Sequence, residues 1–491
     1  MEFNSSTRQS SKKRPLDDDS SKELSNKETK IEITPLNPML FYPVFPHITE
    51  KIFDYLEKRS LRNCREVSKS WLNSIDNRNI LWNKIVNAEG ANEAFQFACK
   101  IGHSKMVEML FQKPTEYNID YNAEEYGDTA FHFACENGQL KIAEMLILKS
   151  NELNIELDTE DNSYYTAFHL ACLRGHTKIA EMLIQKSNEF NIDLNTKDNY
   201  GWTVFHTACA NGHSKIAELL ILKSTDFNID LNAKDQNNTK AFHLACEYGH
   251  SEIAGMITQR STEFSIELNA RNWCDRTAFQ LACQGAHLTI AEMLLQKSRE
   301  LDIELNNKDH FGMTAFHIAC DSSDTNIAEM LIQKSTEFNI ELNTKTYGGQ
   351  TAFHIACQNG HTNFAEILIQ KSTEFNFELN TKNDNGATAF HLACQNGHSK
   401  VAEMLIQISA KIGIKLNAID DIGRTAFHWA SCNGNEKTVE TIIEHSELFG
   451  LDLTLKDNNS NTGYQLAKVN KQIATINLIK RKMPSLYAEC D

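Results

Sequence analysis

The chain has 491 residues, 41% of them hydrophobic, and a formal net charge of −16. It holds no apolar run of the about 18 residues that a membrane span needs, and no apolar signal-peptide core opens it, so an intracellular protein with no membrane partner is expected. The negative balance argues against nucleic acid, whose phosphates call for a basic face, and makes a basic protein the charge-complementary target.

Residues 1–36 are rich in Ser, Lys, Asp and Glu and poor in apolar groups. Such a segment cannot bury enough surface to fold, and a disordered tail is expected. Lys12-Lys13-Arg14-Pro15 within it fits a nuclear-localisation patch or an ordinary charged tail. A cytoplasmic or nuclear location is expected.

Residues 37–90 change the pattern. Ile48, Ile52, Phe53 and Leu56 suit one helix, and Leu61, Cys64, Val67, Trp71 and Ile75 follow at helical spacing. Leu81-Trp82 and Ile85-Val86 recur after them. Roughly three short helices are too few for an independent core, so a partner or an adjoining domain is implied. The ordered set Phe45-Pro46, Ile52-Phe53-Asp54-Tyr55-Leu56, Leu61, Cys64-Arg65-Glu66-Val67-Ser68-Lys69-Ser70-Trp71 and Leu81-Trp82 resembles the F-box, with Phe45 where that family carries leucine. In that family the equivalent apolar residues dock on a Skp-type adaptor, which links to a cullin ligase core. The resemblance therefore implies Phe45, Pro46, Ile48, Ile52, Phe53, Leu56, Leu61, Cys64, Val67, Trp71, Leu81 and Trp82 as the adaptor-binding set. The alternative is a three-helix cap that shields the first repeat, with Leu61, Val67, Trp71 and Trp82 turned inward.

Residues 91–483 are repetitive. The unit reads Thr-Ala-Phe-His-x-Ala-Cys, a few polar residues, Gly-His, and an apolar run such as Ile-Ala-Glu-Met-Leu-Ile. Its first positions are Thr129, Thr166, Thr203, Lys240, Thr277, Thr314, Thr351, Thr388, Thr425 and Thr462, each 37 residues after the last, and a degenerate copy at Glu93 brings the total to eleven. A fixed period of this size means a solenoid in which each repeat contacts its neighbours. In the copy at Thr166, the threonine suits a helix N-cap. Gly175 suits the left-handed turn that ends a short helix. Ile179, Met182, Leu183 and Ile184 have the spacing of a second helix, and residues 195–201 suit a protruding hairpin or loop.

This unit resembles the ankyrin repeat, with Ala for the family's proline and Phe for its leucine. The resemblance implies an all-α solenoid of helix–turn–helix units that binds a protein. The period exceeds the family's usual length by about one helical turn, which predicts a lengthened second helix. The Phe190 column is expected to cover the added turn. The last copy loses the histidine and carries Lys468 at the cysteine position, as a terminal cap with a more polar outer face would. The copy at Thr277 has Ala286 at the glycine position, and the copy at Thr314 has Ser323-Asp324 for Gly-His. Residues 484–491 form a short tail.

Nine of thirteen cysteines, from Cys99 to Cys394, fill one repeat position, which is not a disulfide framework. His132 and Cys135 recur together, but stacked helices lie roughly 8–10 Å apart, too far for neighbouring columns to share a zinc ion easily. Buried packing cysteines and histidines bonded at the loop base are expected. The column Glu144, Glu181, Glu218, Glu292, Glu329, Glu366, Glu403 reads as a solvated helix face. No catalytic, cofactor or metal motif is present, so no enzyme is expected. Loop tips vary most between copies, and Tyr164, Tyr165, Tyr200, Trp202, Trp273, His310, Phe311 and Tyr347 are the candidate target-binding residues, as interface anchors or as packing between loops. Together these readings point to a substrate-recognition adaptor of a Skp–cullin–F-box type ubiquitin ligase, or to an ankyrin scaffold or inhibitory binder with no ubiquitin role.

Overall fold

A computed structural model describes residues 90–484, apart from 113 and 323. The whole adaptor-binding set from Phe45 to Trp82, the first 36 residues and residues 485–491 lie outside the described residues. The described residues form helices joined by loops, with no strand among them, and this is an all-α stack. The expected hairpins are tight loops with isolated bridges, Glu125 with Asp128 and Glu160 with Thr166.

In the Thr166 repeat the first helix is Ala167–Leu173 and the second is Thr177–Phe190. The Thr166 hydroxyl accepts the His169 backbone N–H at 3.4 Å, and the Thr166 N–H donates to His169 Nδ1 at 3.3 Å. The histidine ring thus does what a glutamate does in a capping box, and two orphan donors are satisfied reciprocally. Gly175, at φ 77°, turns the chain into the second helix. Ala167, Phe168, Ala171 and Cys172 of the first helix and Ile179, Ala180, Leu183 and Ile184 of the second are all buried. Each first helix packs on the first helices before and after it and on its own second helix, so the core runs along the stack.

The second helix is lengthened as expected, to 14 residues. Phe190 does not close over the added turn. Ser187 is buried there and bonds back to Ile184 O at 2.8 Å, and beyond the helix Ile192 and Leu194 complete the core. Phe190 is half-buried: it lines a groove with Ile155 and Leu157 of the preceding repeat, while Lys186 Nζ lies 5.8 Å from its ring centre.

A second bond joins consecutive repeats. His176 Nε2 donates to Glu136 O at 2.9 Å, His213 Nε2 to Leu173 O at 2.9 Å and His287 Nε2 to Glu247 O at 2.8 Å. Each ring lies against the glycine of the repeat before it, and a Cβ on Gly249 would meet the His287 ring at 2.5 Å. Ala286, at φ 60°, breaks the glycine rule only where the facing residue is Asp324 rather than histidine. Asp324 instead caps its own helix, accepting from the N–H groups of Asn326 and Ile327 at 2.9 and 3.1 Å. Losing the ring at Asp324 thus makes room for the methyl group of Ala286, while Ser323, the other departure of that repeat, lies outside the described residues.

In the last copy Gln465 Oε1 takes the histidine's part and accepts the Thr462 N–H at 2.8 Å. Its outer face is less polar than expected. Val469 and Ile473 are exposed beside Lys468 and Lys471, at positions half-covered in inner repeats, as at Leu173 and Thr177.

Asp324→His alone should cost about 1–3 kcal/mol, because it drives a ring onto Ala286. With Ala286→Gly in the same chain the cost should fall by more than the two single effects add to, and urea unfolding in a double-mutant cycle measures that coupling.

Candidate functional site

The loops between repeats are shaped by one side chain each. Asp198 Oδ1 accepts the Tyr200 N–H at 2.9 Å and the Trp202 N–H at 2.8 Å, and the Asp198 N–H closes the turn on Trp202 O at 2.9 Å. Asp161, Asp235, Asn272, Asp309, Asn383, Asp420 and Asp457 repeat this arrangement. A short polar side chain accepting from its own following backbone is the usual origin of such a turn.

The tips are then joined backbone to backbone. Gln236 N–H donates to Tyr200 O at 3.1 Å, Trp273 N–H to Asn237 O at 2.8 Å, His310 N–H to Cys274 O at 2.9 Å and Tyr347 N–H to Phe311 O at 3.1 Å. The tips approach closely, and a Cβ on Gly312 would lie 2.5 Å from Tyr347 N, although Tyr164, Asn238 and Asp275 are accommodated at the same repeat position. The tips therefore form one continuous edge, and side chains on it are held at fixed intervals.

Trp273 is 67% exposed on that edge, and Tyr164, Tyr200, His310, Phe311 and Tyr347 are also exposed. His310 and Phe311 meet edge to face with centroids 5.6 Å apart, and Lys308 Nζ lies 5.9 Å from the Tyr347 ring centre. Tyr165 and Trp202 are not tips. Each sits one residue before its N-cap threonine, half-buried, and reaches the next loop. Trp202 Nε1 donates to Asp235 Oδ2 at 3.2 Å. Burial and the neighbouring Asp198 carboxylate push the Tyr165 phenol up to about 12. Two tip residues escaped the sequence reading. Tyr126 is 89% exposed and Ile422 is exposed, and both precede the N-cap threonine by three residues, as Tyr200 does.

Behind the tips runs a row of asparagine clamps. Asn195 Nδ2 donates to Asn228 O at 2.9 Å while its Oδ1 accepts the Asp230 N–H at 2.8 Å, and Asn122, Asn232, Asn269, Asn306, Asn380 and Asn417 do the same. Asp158 stands in this row without a donor. Its Oδ2 accepts the Asp193 N–H at 3.2 Å, and its buried Oδ1 has no partner. Burial, opposed by that bond and reinforced by Asp193 and Glu160, pushes its carboxyl up to about 6.

The histidines and cysteines at the repeated first-helix positions are structural. His132 Nδ1 accepts the Thr129 N–H at 3.1 Å, so Nε2 carries the proton and donates to Thr159 O at 3.0 Å in the next loop. Burial holds this ring below its ordinary value. Gln280 at the same position makes the equivalent bonds, its Nε2 donating to Asn307 O at 2.9 Å and its Oε1 accepting the Thr277 N–H at 2.9 Å. The column cysteines are free and fully buried, which drives their thiols far up. Among the described residues no cluster of His, Cys, Asp and Glu could hold a metal ion. The glutamate column from Glu144 to Glu403 is exposed along the second helices.

An edge of fixed, solvent-facing aromatic groups on a stacked helical frame is suited to holding another protein. The family model of ankyrin repeats matches residues 66–161, 152–235, 227–307, 300–378 and 374–457, and that of the F-box domain matches residues 45–83. The chain belongs to the ankyrin-repeat family and carries an F-box domain ahead of its stack. No curated protein matches it.

Asp158→Asn should supply the missing donor to the clamp row. A carboxyl whose pKa is raised on folding loses stability as pH rises from the unfolded to the folded value, here from about 4 to about 6. The variant should therefore gain about 1 kcal/mol at pH 7, allowing for the side chain's partial exposure, and the gain should shrink toward pH 4 in denaturant titrations.

Proposed function

We propose that this protein recruits targets to a Skp–cullin–F-box type ubiquitin ligase. The carrying observation is the pairing on one chain of an F-box match at 45–83 with a stack whose loop edge presents fixed aromatic groups. In this reading residues 37–90 dock on a Skp-type adaptor through the apolar set from Phe45 to Trp82. The repeats hold a target protein along the edge of Tyr126, Tyr164, Tyr200, Trp273, His310, Phe311 and Tyr347. The chemistry belongs to the ligase's partner enzyme. This chain contributes effective concentration and orientation, which need no catalytic residue of its own.

The net charge of −16 supports a basic target, since long-range attraction speeds encounter with a protein of opposite sign. Eleven described cysteines, all free and nine of them at one buried repeat position, support a reducing compartment, the cytosol or the nucleus.

The full chain should bind a purified Skp-type adaptor in calorimetry. Trp71→Ala and Val67→Asp should each abolish the heat of binding while the circular dichroism of the helical stack is unchanged. Binding that survives both substitutions, or a folded wild-type chain that does not bind, removes the ligase role and leaves an ankyrin scaffold.

A further inference from the structure

The near-identity of the repeats makes each departure readable against the others. Seven repeats carry an ion pair three residues apart at or just past the end of the second helix: Lys149–Glu152, Lys186–Glu189, Lys223–Asp226, Arg260–Glu263, Lys297–Glu300, Lys334–Glu337 and Lys371–Glu374. In the next helix, Ser399–Ile412, the same two positions are Ile408 and Lys411. In Glu436–Phe449 they are His445 and Leu448. A third position is acidic in seven repeats, from Glu156 to Glu378, and becomes Lys415 here. Charge is thus lost on one side of this junction and reversed on the other.

These changes meet in one place. Between the two helices lies a groove of about 550 Å³ lined by Ala410, Ile414, Lys415, Ala418, Leu448 and Phe449. Leu448 is 78% exposed, and Ile419, next to Ala418, is exposed as well. Among the described residues neither Lys411 nor Lys415 makes an ion pair, whereas Glu440 and Glu444 of the neighbouring helix are already held by Lys482. The equivalent groove at the other end of the stack, about 380 Å³, is lined instead by Glu156, Asp158 and Glu189. An apolar floor with unpaired lysines, in a chain of net charge −16, is a local inversion of the surface.

We infer that the groove between Ser399–Ile412 and Glu436–Phe449 is a second docking site, one that takes an acidic segment of a partner protein bearing an aliphatic or aromatic anchor. The anchor fills the space beside Ile414, Leu448 and Phe449, and acidic flanks meet Lys411 and Lys415. This site lies on the second-helix side of the stack, distinct from the loop-tip edge, so a partner here and a target there can be held together.

The test uses the full chain and two short labelled peptides, one with glutamates flanking paired leucines and one with lysines in place of the glutamates. Fluorescence anisotropy should show binding of the acidic peptide and weaker binding of the basic one. Lys411→Glu with Lys415→Glu, and separately Leu448→Glu, install residues that other repeats already carry at these positions, so folding is not at risk. Each should weaken the acidic peptide by about tenfold or more, and the charge-reversed variant should lose the salt dependence. Equal binding of both peptides, or variants that bind as well as the parent, overturns the proposal. A parent chain that sediments as a dimer and becomes monomeric with Leu448→Glu also overturns it, because the groove is then filled by a second copy.

Discussion

The stack depends on a single imidazole used twice. In most repeats the histidine ring accepts the N–H of its own N-cap residue and donates to a carbonyl of the following loop, as His206 does to Thr203 and, at 3.0 Å, to Thr239 O. Helix start and repeat docking are therefore one event. A repeat without its neighbour loses this bond and exposes the apolar faces that the stack buries, so isolated copies are not viable units. The lowered proton affinity of these rings follows from the same burial.

Much of this was legible in the sequence because the period made it so. Thr166 as a cap, Gly175 as a left-handed turn, the lengthened second helix and the buried cysteine column all follow from local rules applied to one copy. What was not legible depended on how copies meet. Tyr164 and Tyr165 are adjacent and alike in sequence, yet one faces solvent and the other braces the next loop, because only the latter's offset brings it to Asp198. Phe190 has the spacing of a buried residue, but nothing in one copy shows that the space beyond Ser187 is taken up by Ile192 and Leu194. Tyr126 was missed although its offset from Thr129 equals that of Tyr200 from Thr203.

The charge of the chain is distributed by the same repetition. Paired basic and acidic residues at the ends of seven second helices cancel locally, whereas among the described residues the row from Glu144 to Glu403 makes no ion pair. Exposed pairs of this kind add little stability, on the order of 0.3–0.5 kcal/mol each. Their effect is on the surface they present: a neutral band beside an acidic one, interrupted at a single junction near the C-terminal end of the stack.

Repetition carries a hazard, since a chain of near-copies can pair with itself out of step and still satisfy most of its clamps. The exchange at Ala286 and Asp324 works against this. A stack shifted by one unit would press the methyl group of Ala286 onto an imidazole, or leave Asp324 facing a glycine and the histidine of another copy without its place. The pair acts as a registration mark: it makes this junction unlike the glycine–histidine contacts of most repeats, and so favours assembly in frame.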